Sequence, residues 1–179
     1  MKSILLIGLA TLCFAGSEPI VSFNSLRTVE ASINDKLQSN INDPYELLGS
    51  ARGTYLENYG AVFTFEVNLV VTSPLAISPF SQGVTEKQIA ALHDRKIKKT
   101  EVLRDSMRGL MLNASKSLPG LPPNERIVME AFFFNWNWEN TRGLSHRLVL
   151  TAEKQKLMDS ANRHLSEKEM AALFTQEEL

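Results

Sequence analysis

The chain has 179 residues, of which 44% are hydrophobic, and a formal charge of −1 at pH 7. That length builds one domain with a buried core, and so balanced a charge supplies no global field to hold the protein to nucleic acid or anionic lipid. The single cysteine, Cys13, sits in the N-terminal leader, so the rest of the chain has no disulfide, no thiolate nucleophile and no cysteine-bound metal or cluster.

Lys2 opens the leader, and Ile4 to Ala15 form an apolar block shorter than the roughly 20 residues that span a bilayer. Small side chains follow, placing a cut after Ala15 or Ser17. This is the pattern of a secretory signal peptide over residues 1–17, and it places the mature protein in the periplasm or outside the cell. Leu12 precedes Cys13 where a lipid-attachment site wants a small residue. No later run reaches transmembrane length. Residues 18–24 read as an extended leader and 25–179 as a single α+β domain.

Leu26, Val29, Ile33 and Leu37 recur at helical steps after Ser25, with Arg27, Glu30, Asp35 and Lys36 elsewhere on the wheel. Pro44 stops that helix. From Ala61 to Thr72 apolar and polar residues alternate, the mark of a half-buried strand. Its partner is predicted over Leu47–Leu56, with Asn58-Tyr59-Gly60 as a three-residue loop and Gly60 left-handed. That register sets Tyr55 opposite Phe63, Arg52 opposite Glu66, and Phe65 across Gly53. Residues 73–84 read as a long loop carrying Leu75, Ile77 and Phe80.

Thr85-Glu-Lys-Gln88 is a capping box and starts a long helix to about Lys116. Its inward stripe is Ile89, Leu92, Lys96, Lys99, Leu103, Met107, Leu110 and Ala114. The two lysines imply a bend or an overhang at the sheet edge. After the rigid LPGLPP break come a central strand, Ile127–Phe134, and a strand-end turn, Asn135–Gly143. A fourth strand, Leu144–Thr151, follows, then a helix over 152–162 and a short helix capped by Ser166 and Glu169. The expected fold is two antiparallel β-hairpins forming a four-stranded sheet, covered by a long crossover helix and shorter N- and C-terminal helices.

None of the three histidines, His93, His146 and His164, stands at a metal-binding spacing, and no GxSxG elbow, P-loop or GxGxxG occurs; the reading carries no cofactor and no metal. His146 alternates with Leu148 and Leu150, which turns it toward the core. Arg52 and Glu66 read as a cross-strand ion pair, worth at most about 1 kcal/mol on a solvated face. His93 to Lys99 (HDRKIKK) is a short basic block, either a solvated helix face or a meeting place for an anionic group.

Trp136 and Trp138 are the most suggestive pair. In an extended chain they project to one side, and Asn135, Asn137 and Asn140 to the other. Flat aromatic faces beside amides suit sugars, and suit a peptide equally; alternatively both indoles close one end of the core. Tyr59 and Arg142, each in a hairpin turn, join the site if both turns lie at one end. The candidate ligand-binding residues are therefore Trp136, Trp138, Asn135, Asn137, Tyr59 and Arg142. The expectation is an exported bacterial cell-envelope module, non-enzymatic, that binds an envelope protein or glycan. The alternatives are an envelope hydrolase whose site assembles only in the fold, and a structural subunit that oligomerises.

Overall fold

The computed structural model describes residues 21–39, 43–71, 84–161, 163 and 165–179. The predicted signal segment, nearly all of the predicted 73–84 loop, and His164 lie outside the described residues. Helix α1 (Phe23–Gln38) is capped by the Ser22 hydroxyl, which accepts from the Ser25 amide. It begins earlier than its stripe predicts, so Phe23 and Asn24 are helical rather than extended. Strands β1 (Glu46–Leu47), β2 (Arg52–Leu56) and β3 (Gly60–Asn68) follow. Helix α2 (Glu86–Ser117) then leads to β4 (Arg126–Phe133), β5 (Arg147–Glu153), α3 (Lys154–Ser160), α4 (Glu167–Ala171) and β6 (Thr175–Glu178). The capping boxes at Thr85 and Ser166 both form.

The fold is α+β, with one mixed six-stranded sheet ordered β1-β3-β4-β5-β6 and β2 also paired to β3. The two hairpins and the crossover helix are present, but three features differ from the expectation. First, the β2 partner strand is broken: residues 49–51 leave the ladder between β1 and β2, after the Leu48 amide donates to the Glu66 carbonyl at 3.0 Å. Second, crossover through α2 makes β3 and β4 parallel, so the sheet is mixed. Third, β6 pairs antiparallel with β5 as an edge strand. All its residues are exposed, and Thr-Gln-Glu-Glu carries no apolar periodicity to announce it. Among the described residues, no helix is long and apolar enough to cross a membrane.

The hairpin register is shifted by two residues. Tyr55 faces Ala61, Gly53 faces Phe63 and Arg52 faces Thr64. The loop is Glu57-Asn58-Tyr59, with Asn58 at φ 62°. A two-residue slip leaves every side chain on its own face, so sidedness could not detect it. The aromatic cover over Gly53 is Phe63: a Cβ there would meet Phe63 Cε1 at 2.5 Å. No Arg52–Glu66 ion pair forms among the described residues, because the slip takes them out of opposition.

The inward stripe of β3 (Ala61, Phe63, Phe65, Val67) packs with Ile127, Met129 and Ala131 of β4, with Leu148 and Leu150 of β5, and under the α1 and α2 stripes. Glu30 is also buried. Its Oε1 accepts from the Gly53 amide at 2.8 Å, while Asn34 Oδ1 accepts from the Ala51 amide at 2.9 Å. Helix α1 thereby satisfies outward amides along the broken edge strand, which would otherwise stay open to pairing.

Lys99 reaches inward to Asp43 Oδ1 at 3.0 Å and to the Pro44 carbonyl at 2.9 Å. Its ammonium lies 4.3 Å from the centre of the Tyr45 ring. Burial, then the Asp43 charge, pushes the Tyr45 hydroxyl up to about 12 from 10.0. In the unfolded chain the proton leaves near 10; in the folded chain it stays until about 12. Stability from this group is therefore complete below the lower value and lost as pH rises through the upper one, by about 3 kcal/mol. Chemical denaturation across that interval should show the fall, and a Tyr45→Phe variant, which keeps Lys99, should lack that part of it. Absorbance titration should find Tyr45 the last of the tyrosines to ionise. Ionisation of all three near pH 10 in the folded protein would contradict it.

Candidate ligand-binding site

Strands β3 and β4 end side by side, with Val67 opposite Phe133, and the ladder runs one step further as the Phe134 amide donates to the Val67 carbonyl at 3.0 Å. The chain then leaves the sheet. A turn closes from the Glu139 amide to the Trp136 carbonyl at 3.1 Å, and another from Leu144 to Thr141 at 3.0 Å. The Phe133 amide donates to the His146 carbonyl at 2.9 Å, which returns the chain to β5.

Helix α2 pins this excursion at two points. Lys96 enters it from the inward stripe and donates to Asn135 Oδ1 at 2.8 Å and to the Phe134 carbonyl at 3.2 Å. It also forms an ion pair with Glu139, the two side chains being 1% and 3% exposed. Burial pulls the Lys96 ammonium below its ordinary value, against the opposing hydrogen bond and charge of Glu139. One turn earlier, His93 Nε2 lies 3.0 Å from the Arg142 carbonyl and, facing an acceptor, must donate to it. The basic block is thus only partly a solvated face: Asp94, Arg95, Ile97 and Lys98 are exposed. Lys96 and Lys99 are buried in ion pairs, and Arg95 pairs with Asp43 at 2.5 Å.

An open cavity of about 450 Å³ lies beside this segment, lined by Glu66, Asn135, Trp136, Asn137, Thr141 and His146 among others. Trp136 is half-buried and meets Phe134 edge-on, ring centres 4.9 Å apart. Its indole Nε1 is shielded from solvent and has no acceptor among the described residues. Asn137 is exposed, and its side-chain amide makes no hydrogen bond within the described residues. Asn135 is engaged by Lys96 and orients the rim. Glu66 lies on the outward face of β3 and makes no ion pair among the described residues.

The six predicted residues do not assemble as one surface. Trp136, Asn135 and Asn137 line the cavity. Trp138 and Arg142 belong to the same segment but do not line it. Trp136 and Trp138 share no face of a strand, because the chain turns between them. Tyr59 lies at the opposite end: β3 and β4 are parallel, so the β2–β3 turn and the β4–β5 connection sit about 23 Å apart along the strands, at a rise of about 3.3 Å per residue. His146 precedes β5, so the alternation predicted for it stops short, and it is exposed rather than turned into the core. Glu139 was legible only indirectly: two lysines on an apolar stripe require buried anions, and Glu139 is the one acidic residue of the tryptophan segment. Glu66 was found as half of an ion pair that does not form.

A larger groove, about 640 Å³, runs along α2 past Val102, Ser106, Gly109 and Asn113, and no aromatic side chain lines it. Comparison with protein-family models, with curated proteins and with solved structures gives no match. Among the described residues, no cluster of His, Cys, Asp or Glu could hold a metal ion.

Proposed function

We propose that this is an exported bacterial cell-envelope protein, periplasmic or secreted, that binds a ligand or partner at the Trp136 cavity without transforming it. The export part rests on the leader, Lys2 followed by the apolar block to Ala15. The binding part is carried by one observation: a half-exposed indole and an uncommitted side-chain amide, Trp136 and Asn137, stand at the rim of an open cavity of about 450 Å³. That size falls in the range of small-ligand sites, about 300–1,000 Å³. A ring face and amide groups recognise apolar surface and hydroxyl or carbonyl groups together.

Retention of the purified mature chain on envelope fractions tests it. Trp136→Ala and Asn137→Ala should each weaken retention, the former by about tenfold or more, the effect of losing an aromatic anchor. Tyr59→Ala, at the far end of the sheet, should retain normally. Thermal melting confirms that each variant is folded. Equal retention of all three variants and the parent would remove the assigned surface.

A further inference from the structure

The cavity has a charge, and the charge narrows the ligand. Its two carboxylates are not equivalent. Glu139 is held by the Lys96 ammonium. Glu66 is exposed and makes no ion pair among the described residues, and among those residues no lysine or arginine lines the cavity. Arg52, opposite Thr64 on the neighbouring strand, is a diagonal neighbour of Glu66 on the same face yet makes no ion pair with it among the described residues, and Arg147, two strands across, pairs with Glu130 at 3.2 Å. The site therefore presents a carboxylate with no ion-pair partner among the described residues beside an indole, whose ring face is itself negative by its quadrupole. Both features attract a cation. For an anion the described lining offers the side-chain donors of Asn137, Thr141 and His146, in the field of Glu66.

The edges of the strands decide what carries the cation. β3 is paired on one side by β1 and β2 and on the other by β4, while β4 is paired by β3 and β5. Among the described residues no open strand edge faces the cavity, so a peptide finds no ladder to extend there. A sugar needs none: its CH face stacks on Trp136 and its hydroxyls meet Asn137 and Thr141.

Resting on the binding role proposed above, we infer that the Trp136 cavity takes a glycan bearing free amino groups, with Glu66 receiving the ammonium. The test uses the mature chain with a short glucosamine oligomer, its fully N-acetylated counterpart of equal length, and a lysine-rich peptide, in weakly acidic buffer where the sugar amines are protonated. Calorimetry or tryptophan fluorescence gives the affinity. The amine oligomer should bind about tenfold or more tighter than the acetylated one, the size of one charge-assisted hydrogen bond. Glu66→Gln should abolish that preference by weakening the amine oligomer; since Glu66 is exposed and makes no ion pair among the described residues, the variant should melt with the parent. Equal binding of both oligomers, dependent on Trp136, would overturn the charge assignment while leaving the binding surface in place. Glu66-dependent binding of the peptide alone would overturn the glycan. Failure of all three probes overturns this inference, whereas the binding role itself falls only if Trp136→Ala also leaves envelope retention intact.

Discussion

Replacing Lys96 by Met should lower stability by about 3–5 kcal/mol, the loss typical when one partner of a buried ion pair is removed. The side chains of Lys96 and Glu139 are 1% and 3% exposed, so water cannot replace the missing ammonium. Glu139 already keeps one oxygen, Oε1, shielded and without a partner, so its carboxylate depends on the single ion pair. The Phe134 carbonyl and Asn135 Oδ1 would lose their donor in the same step. A double variant, Lys96→Met with Glu139→Leu, removes both charges and should recover most of the stability, because apolar replacement of a whole buried pair is often neutral. Urea denaturation of the parent, the two single variants Lys96→Met and Glu139→Leu, and the double variant gives the coupling. A loss under about 1 kcal/mol, as for an exposed pair, or a double variant as weak as the single, would show that the pair is not the clamp on this segment. Because the same lysine fixes the backbone before Trp136, the single variant should also shift the tryptophan emission and weaken retention.

The elements that burial enforces were legible. Leu26, Val29, Ile33 and Leu37 are all buried on α1, and the β3 stripe from Ala61 to Val67 lies inward, because a one-residue error would turn an entire apolar face to water. What burial does not penalise was missed. The two-residue slip in the hairpin keeps sidedness, and the local conformation decides it. β6 binds by its backbone and by contacts such as Arg104 to Glu178 at 2.5 Å, which leave no hydrophobic period to read.

The site was half legible for the same reason. A tryptophan pair between amides marks the correct segment, but side-by-side projection assumes an extended chain, and the turn from Trp136 to Glu139 removes that premise. The separation of Tyr59 from Arg142 follows from topology alone: a crossover helix joins hairpins whose inner strands run parallel, so their turns must face opposite ways. Lys96 and Lys99 interrupt an apolar stripe not because the helix overhangs but because each meets a carboxylate from another part of the chain. Spacing along the helix cannot name those partners, since Asp43 and Glu139 lie far away in sequence.

Gly60→Ala should destabilise the fold by about 4 kcal/mol or more, in the range reserved for collisions that cannot relax. Gly60 is the first residue of β3 and sits at φ 142°, a region that a side chain strongly disfavours and that carries about 1–3 kcal/mol of strain on its own. A Cβ there would fall on the Arg126 carbonyl oxygen and within 2.7 Å of its carbon and 2.8 Å of its nitrogen. These are backbone atoms of β4, and Gly60–Arg126 is the first pair of the parallel β3–β4 ladder. Arg126 cannot retreat without opening that ladder and releasing its own amide, which donates to the Tyr59 carbonyl at 3.0 Å. The glycine is therefore required by the neighbouring strand rather than by the turn. Asn58, at φ 62°, carries the left-handed residue of the loop, so Asn58→Gly should change stability by only a few tenths of a kcal/mol. Denaturation midpoints of the two variants separate these roles: similar, small losses would return Gly60 to the turn and break the argument that β4 presses against it.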